Sequence, residues 1–121
     1  MEKVDIREIT FAFSLDIINL YKRCIAANEY VLSKQMLKSG TSLGANVEEA
    51  QAAQTKNDFI AKMAIASKEA RETKYWLRLI KEGKLLDDGN IIDELLTKSE
   101  SITNIITKIV KTAMRNKNER K

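Results

Sequence analysis

Not one proline occurs in the 121 residues of this chain, and there are only four glycines. Proline costs about 3 kcal/mol inside a helix and glycine about 1. A chain with so few of either has little to stop a helix once it has begun. Folds built on many tight turns are disfavoured for the same reason.

The apolar residues use that freedom. Between about residues 4 and 27, Ile6, Ile9, Phe13, Ile17, Leu20 and Cys24 recur at spacings of 3 and 4, one face of a helix. Val4, Phe11, Leu15, Ile18 and Ile25 form a second stripe on nearly the opposite side. A second segment, about 29–53, carries Leu32, Met36, Leu43, Val47 and Ala50, interrupted by Gly40 and Gly44. Those glycines predict a kinked helix 2 that packs closely on a neighbour there. "TKND" (55–58) opens a third segment, about 56–82, with Thr55 or Asn57 as N-cap. Its inner row is Phe59, Met63, Ala66, Ala70, Leu77 and Ile80, with Thr73 in register and Gly83 as a stop. "DDGN" (87–90) leads into a fourth, about 88–115, with Ile92, Leu95, Ile102, Ile106, Ile109 and Ala113 in the row. Ile91, Ile105, Val110 and Met114 widen that face.

Four helices with short links predict an all-α, up-down-up-down antiparallel four-helix bundle, a single domain over 1–121. One bundle hides about one face per helix. Helix 1 has two, helix 4 an unusually wide one, and helix 3 a second row: Ile65, Glu69, Glu72, Trp76 and Leu79, spaced 4, 3, 4 and 3. Contiguous apolar surface marks partners, so a homo-oligomer is expected. The alternative is irregular packing, with helix 2 draped over the surplus. Two carboxylates in an apolar row are costly unless paired. Glu69 and Glu72, with Glu49, are therefore expected to form a polar cluster at an interface, or else to reach solvent past Trp76.

No histidine is present, which removes the commonest general base and metal ligand. Cys24 is the lone cysteine; it reads as a small core residue or as a reactive thiol. Ser67 has no histidine to activate it, and no phosphate-binding glycine loop exists. No enzyme, cofactor or metal is expected. The weakest alternative is a carboxylate-only metal site from Glu48, Glu49, Glu69 and Glu72. "MEKVDIREIT" lacks the apolar core of a signal peptide, and no stretch approaches a membrane span. A cytoplasmic protein that does not enter membranes is expected.

The net charge is +4. Arg71, Lys74, Arg78 and Lys81 form a basic ridge on helix 3, spaced 3, 4 and 3. The tail "KIVKTAMRNKNERK" (108–121) adds six basic residues against one acidic, including Lys108, Lys111 and Arg115. Such ridges can neutralise phosphates of RNA or DNA. They also serve as solvated faces that complement helix dipoles, opposite Asp87, Asp88, Asp93 and Glu94. No aromatic residue interleaves with them, so base stacking is not indicated. A purely protein-binding role without nucleic-acid affinity is the competing reading.

"TSLGANVEEA" (41–50) and "SKEARETKYWLRLI" (67–80) resemble the four helix bundle protein family, also called 23S rRNA intervening-sequence proteins. The matching positions are Thr41, Ser42, Asn46, Val47, Glu49, Glu69, Glu72 and Thr73, then Trp76 and Leu77. The resemblance covers essentially the whole chain and adds Asn46 to the polar cluster. It implies a left-handed bundle and a ring-like homopentamer. Some family members are encoded within insertions in ribosomal RNA genes. A related accessory protein of diversity-generating retroelements is a basic pentamer that binds nucleic acid and a reverse transcriptase. Ala50 stands where the commonest form has glycine, and Ala53 and Gln54 where it has a basic residue. These departures weaken the transfer of a nucleic-acid surface on helix 2 from the family.

Overall fold

The computed structural model describes residues 5–119. Four helices follow one another: α1 Ile6–Ala26, α2 Leu32–Gln51, α3 Lys56–Glu82 and α4 Gly89–Glu119. Val4, from the second stripe of helix 1, and the last two residues of the basic tail lie outside the described residues.

Local chemistry sets the ends. The Asp5 carboxylate accepts the Arg7 amide at 3.0 Å and starts α1. Thr55 is the N-cap of α3, its hydroxyl accepting the Asp58 amide at 3.1 Å. Asn28 takes a left-handed conformation, φ 64°, and turns the chain after α1. Helix α2 begins three residues later than the periodicity predicts because Glu29 caps it from outside. The Glu29 carboxylate accepts the amides of Val31, Leu32 and Ser33 at 3.0, 3.2 and 2.7 Å, and the Ser33 hydroxyl donates to the Glu29 carbonyl at 2.7 Å. With no glycine or proline to stop it, α4 runs on to Glu119 rather than ending near Arg115.

The cross-helix contacts give the topology. Between α1 and α2, Ile17 lies at Gly40 and Ser14 at Gly44. Between α2 and α3, Ser39 meets Thr73 and Glu49 meets Lys62. Between α3 and α4, Lys81 pairs with Asp93, and toward the other end Phe59 and Ile109 line one groove. Between α4 and α1, Asp88 pairs with Arg23 and Lys98 with Asp16. In every pair one helix ascends in number as the other descends, so neighbours are antiparallel. The four pairs close a ring, and no close backbone approach joins the diagonals among the described residues.

The predicted inner rows fill the centre. Phe13, Ile17, Leu20, Met36, Leu43, Val47, Met63, Leu77, Ile80, Ile92, Ile102 and Ile106 are fully buried. Helix α2 passes through Gly40 and Gly44 as one α-helix. What the glycines provide is approach to α1: a Cβ on Gly40 would stand 2.9 Å from Ile17 Cγ2. The Ser14 hydroxyl uses this closeness to donate to the Gly40 carbonyl at 2.9 Å. Helix α2 is a member of the ring and does not drape over the surplus apolar surface. Phe11 and Leu15 of the second α1 stripe stay exposed, at 62% and 47%.

Candidate functional site

Helix α3 separates two kinds of surface. Its core row centres on Ala70, and successive residues turn by about 100°. Thr73 and Lys62 turn toward α2, as their contacts with Ser39 and Glu49 show, while Lys81 turns toward α4 and Asp93. The row Ile65, Glu69, Glu72, Trp76 and Leu79 continues outward on the α2 flank. Arg71, Lys74 and Arg78 share the α4 flank with Lys81.

The first row lies at the surface and is not enclosed in the bundle. Ile65 is 41% exposed, Glu72 is exposed, and Glu69, Trp76 and Leu79 are half-buried. Burial, followed by the neighbouring Glu72 carboxylate, raises the Glu69 pKa above the usual range; Lys68 and Lys38 pull the other way. Neither Glu69 nor Glu72 has an ion-pair partner among the described residues. The Trp76 indole Nε1 has no solvent contact and no acceptor among them either. Its ring stands edge-on to Tyr75, centroids 5.2 Å apart, and packs against the core. The expected polar cluster is divided. Glu49 pairs with Lys62 at 2.9 Å, and Asn46 donates to the Ser42 carbonyl of its own helix at 2.9 Å.

On the opposite flank Arg71 and Arg78 are exposed and Lys74 is half-buried. Lys81 is neutralised by Asp93, while Arg71, Lys74 and Arg78 have no carboxylate partner among the described residues. Lys108, Lys111 and Arg115 are exposed on α4. The structure does not join the two basic sets. The α3 set lies near the start of α4, and the α4 set lies beside Phe59, roughly 15–20 Å away along the bundle. Lys108 borders an open groove of about 620 Å³ floored by Phe59, Ile109 and Ala113, with Lys56 on its rim. Periodicity did not single out this groove, because it forms where α4 passes the start of α3.

Glu48, Glu49, Glu69 and Glu72 do not gather into a metal site: no group of three or more Cys, Asp or Glu side chains converges among the described residues. Cys24 is fully buried. Burial, aided by the charges of Glu29 and Asp88, pushes its thiol pKa from 9.0 to about 11, so it is a core residue at neutral pH. No helix among the described residues is long and apolar enough to cross a membrane.

These features define a helical-bundle protein whose distinctive chemistry lies on outward helix faces. The chain belongs to the family of 23S rRNA-intervening sequence proteins, whose model matches residues 2–108. It is similar to the crystal structure of a protein of unknown function from the S23 ribosomal protein family of Bacteroides thetaiotaomicron. The TM-score is 0.84 at 39% identity, covering 88% of this chain and 99% of that one. No curated protein matches.

Proposed function

We propose that this chain is a non-enzymatic scaffold that self-associates and contacts RNA or DNA through its basic helix faces. The observation that carries the nucleic-acid part is the α4 flank of α3. Arg71, Lys74 and Arg78 stand one turn apart there in a single row, each without a carboxylate partner among the described residues. Unpaired cations over about 10 Å of helix form a short track for phosphates. The family's name, which refers to an intervening sequence of 23S rRNA, makes RNA the first polyanion to test. Self-association is supported by two half-exposed apolar rows, one on α1 and one on α3. Five copies is the number the family resemblance implies.

Fluorescence anisotropy with mixed-sequence RNA and DNA across a salt series tests the first part. Binding that weakens with salt is expected. Replacing Arg71, Lys74 and Arg78 by alanine should weaken it for every sequence alike. The salt slope should flatten by roughly 0.7–0.9 for each phosphate that is no longer neutralised. No binding even at low salt would remove the nucleic-acid role and leave a protein-binding accessory factor. Light scattering at micromolar concentration tests assembly, and a monomer mass would end that part.

A further inference from the structure

At the end of the bundle where α2 turns into α3, the first turn of α3 and the last turns of α4 enclose the open groove of about 620 Å³, within the size range of ligand sites. Ala53, Phe59, Ile109 and Ala113 are its apolar lining, all of them half-buried. The rest of the lining is neutral and polar or cationic, and among the described residues no carboxylate borders it.

Its two cations stand at opposite ends. Lys56 precedes Phe59 by about one turn, and α3 and α4 are antiparallel, so Lys56 lies toward Asn116. Lys108 borders the other end, eight residues back along α4. At 1.5 Å per residue the two are set roughly 10–12 Å apart along the seam. Lys111 and Arg115 follow Lys108 at spacings of 3 and 4 and are exposed, so the α4 bank is basic along its length. None of these four cations has an ion-pair partner among the described residues. The groove therefore pairs a greasy floor with positive rims, and its complement is apolar on one face and acidic at both ends.

We propose that this groove takes an acidic amphipathic helix of a partner protein, laid along the α3–α4 seam. Carboxylates seven residues apart on a helix are separated by roughly 10.5 Å, the spacing of Lys56 and Lys108. Residues three and four positions after the first carboxylate share that face, and there they meet Phe59, Ile109 and Ala113. Other occupants use less of the site. A fatty-acid carboxylate answers one cation and leaves the other unpaired. A phosphate chain answers both, yet it brings nothing apolar to the floor, and no exposed aromatic side chain lines the groove to stack a base. The site is independent of the phosphate track of Arg71, Lys74 and Arg78, which lies farther along α3.

The test uses the full chain and a fluorescein-labelled, alanine-rich helical peptide. The peptide carries two glutamates seven residues apart, with leucines at the third and fourth positions after the first. Anisotropy should show binding that is lost when the leucines are moved to the opposite face of the same peptide. Ala113→Trp, which fills the floor, and Lys56→Glu/Lys108→Glu should each weaken binding about tenfold or more. A peptide with lysine in place of both glutamates should bind the charge-reversed chain and not the wild type. Should Ala113→Trp lower helix content, this charge exchange alone decides. Arg71→Ala/Lys74→Ala/Arg78→Ala should leave peptide binding unchanged while weakening RNA binding, so failure here and failure of the nucleic-acid role are read separately. Equal binding of the two leucine arrangements, or no rescue by charge exchange, would overturn the proposal. Decanoate or single-stranded poly(U) that binds in an Ala113-dependent way where the peptide does not would assign the groove to that ligand instead. A lower mass for a folded Ala113→Trp chain in light scattering would place a second copy there, and would equally overturn it.

Discussion

The hydroxyl oxygens of Ser39 and Thr73 lie 2.8 Å apart in the seam between α2 and α3, both buried. Thr73 Oγ1 is also 2.8 Å from the Glu69 carbonyl, and Ser39 Oγ is 3.2 Å from that of Met36. One proton serves one acceptor, so two arrangements satisfy the pair. Either Thr73 donates to Ser39 and Ser39 to Met36, or Ser39 donates to Thr73 and Thr73 to Glu69. Thr73→Val keeps the shape and removes the link. A loss of about 1 kcal/mol is expected from urea unfolding at unchanged m. Ser39→Ala should cost a similar amount, and the double variant less than the sum. Strict additivity would show that the two hydroxyls do not act together.

Gly40 and Gly44 predict opposite responses to rescue. A Cβ on Gly40 meets Ile17 at 2.9, 3.0 and 3.3 Å, and the buried, β-branched Ile17 has little room to move. Gly40→Ala should therefore destabilise by about 1–3 kcal/mol from overpacking, exceeding the roughly 1 kcal/mol of helix propensity it gains. On Gly44 the close atom is Ser14 Oγ at 2.9 Å, with the Ser14 Cβ at 3.9 Å. Removing that oxygen relieves the contact, so Ser14→Ala/Gly44→Ala should be more stable than Gly44→Ala alone. Thermal melts compare the series. Gly89→Ala is the control, since nothing lies within 4 Å of its would-be Cβ.

Much of this fold is legible in the sequence because the inner rows obey one period. Every residue of the row from Met63 to Ile80, Thr73 included, is buried where the 3-and-4 spacing puts it. The partners are not legible. Ser39 sits in "LKSG" with nothing to signal a hydroxyl 34 residues away. Glu29 reads as a helix former and acts as a cap. Lys81 reads as the end of a basic ridge, but its charge is taken by Asp93 on the next helix. Glu49 reads with Glu69 and Glu72, yet Lys62 lies nearer once α2 and α3 are docked. Spacing assigns a residue to a face of its helix. Which neighbour lies against that face depends on the order of helices around the ring.

Cys24 should be silent to thiol reagents while the chain is folded. It is fully buried, and its pKa of about 11 leaves almost no thiolate at neutral pH. Labelling at pH 8 is expected to be at least about a hundredfold slower than in denaturant, and to follow the rate of opening. Labelling as fast as a free cysteine would show that the α1 end of the core is open.

Glu69 should make stability fall as pH rises above the ordinary carboxyl range. Burial and the Glu72 charge lift its pKa above the ordinary value of 4.5. Between that value and the raised one, the folded chain holds more protons than the unfolded chain, so raising pH through the window favours unfolding. The penalty is absent below the window and fully present above it. The positive charges of Lys68 and Lys38 oppose the shift. Glu69→Gln should therefore stabilise the chain at pH 7 and have no such effect below about pH 4. Glu72→Gln, which removes the second cause, should narrow the pH dependence without abolishing it. Urea unfolding of the three proteins at fixed concentration is the measurement, since assembly shifts apparent stability. An equal difference between wild type and Glu69→Gln at both pH values would mean that the Glu69 carboxyl titrates alike in the folded and unfolded chains.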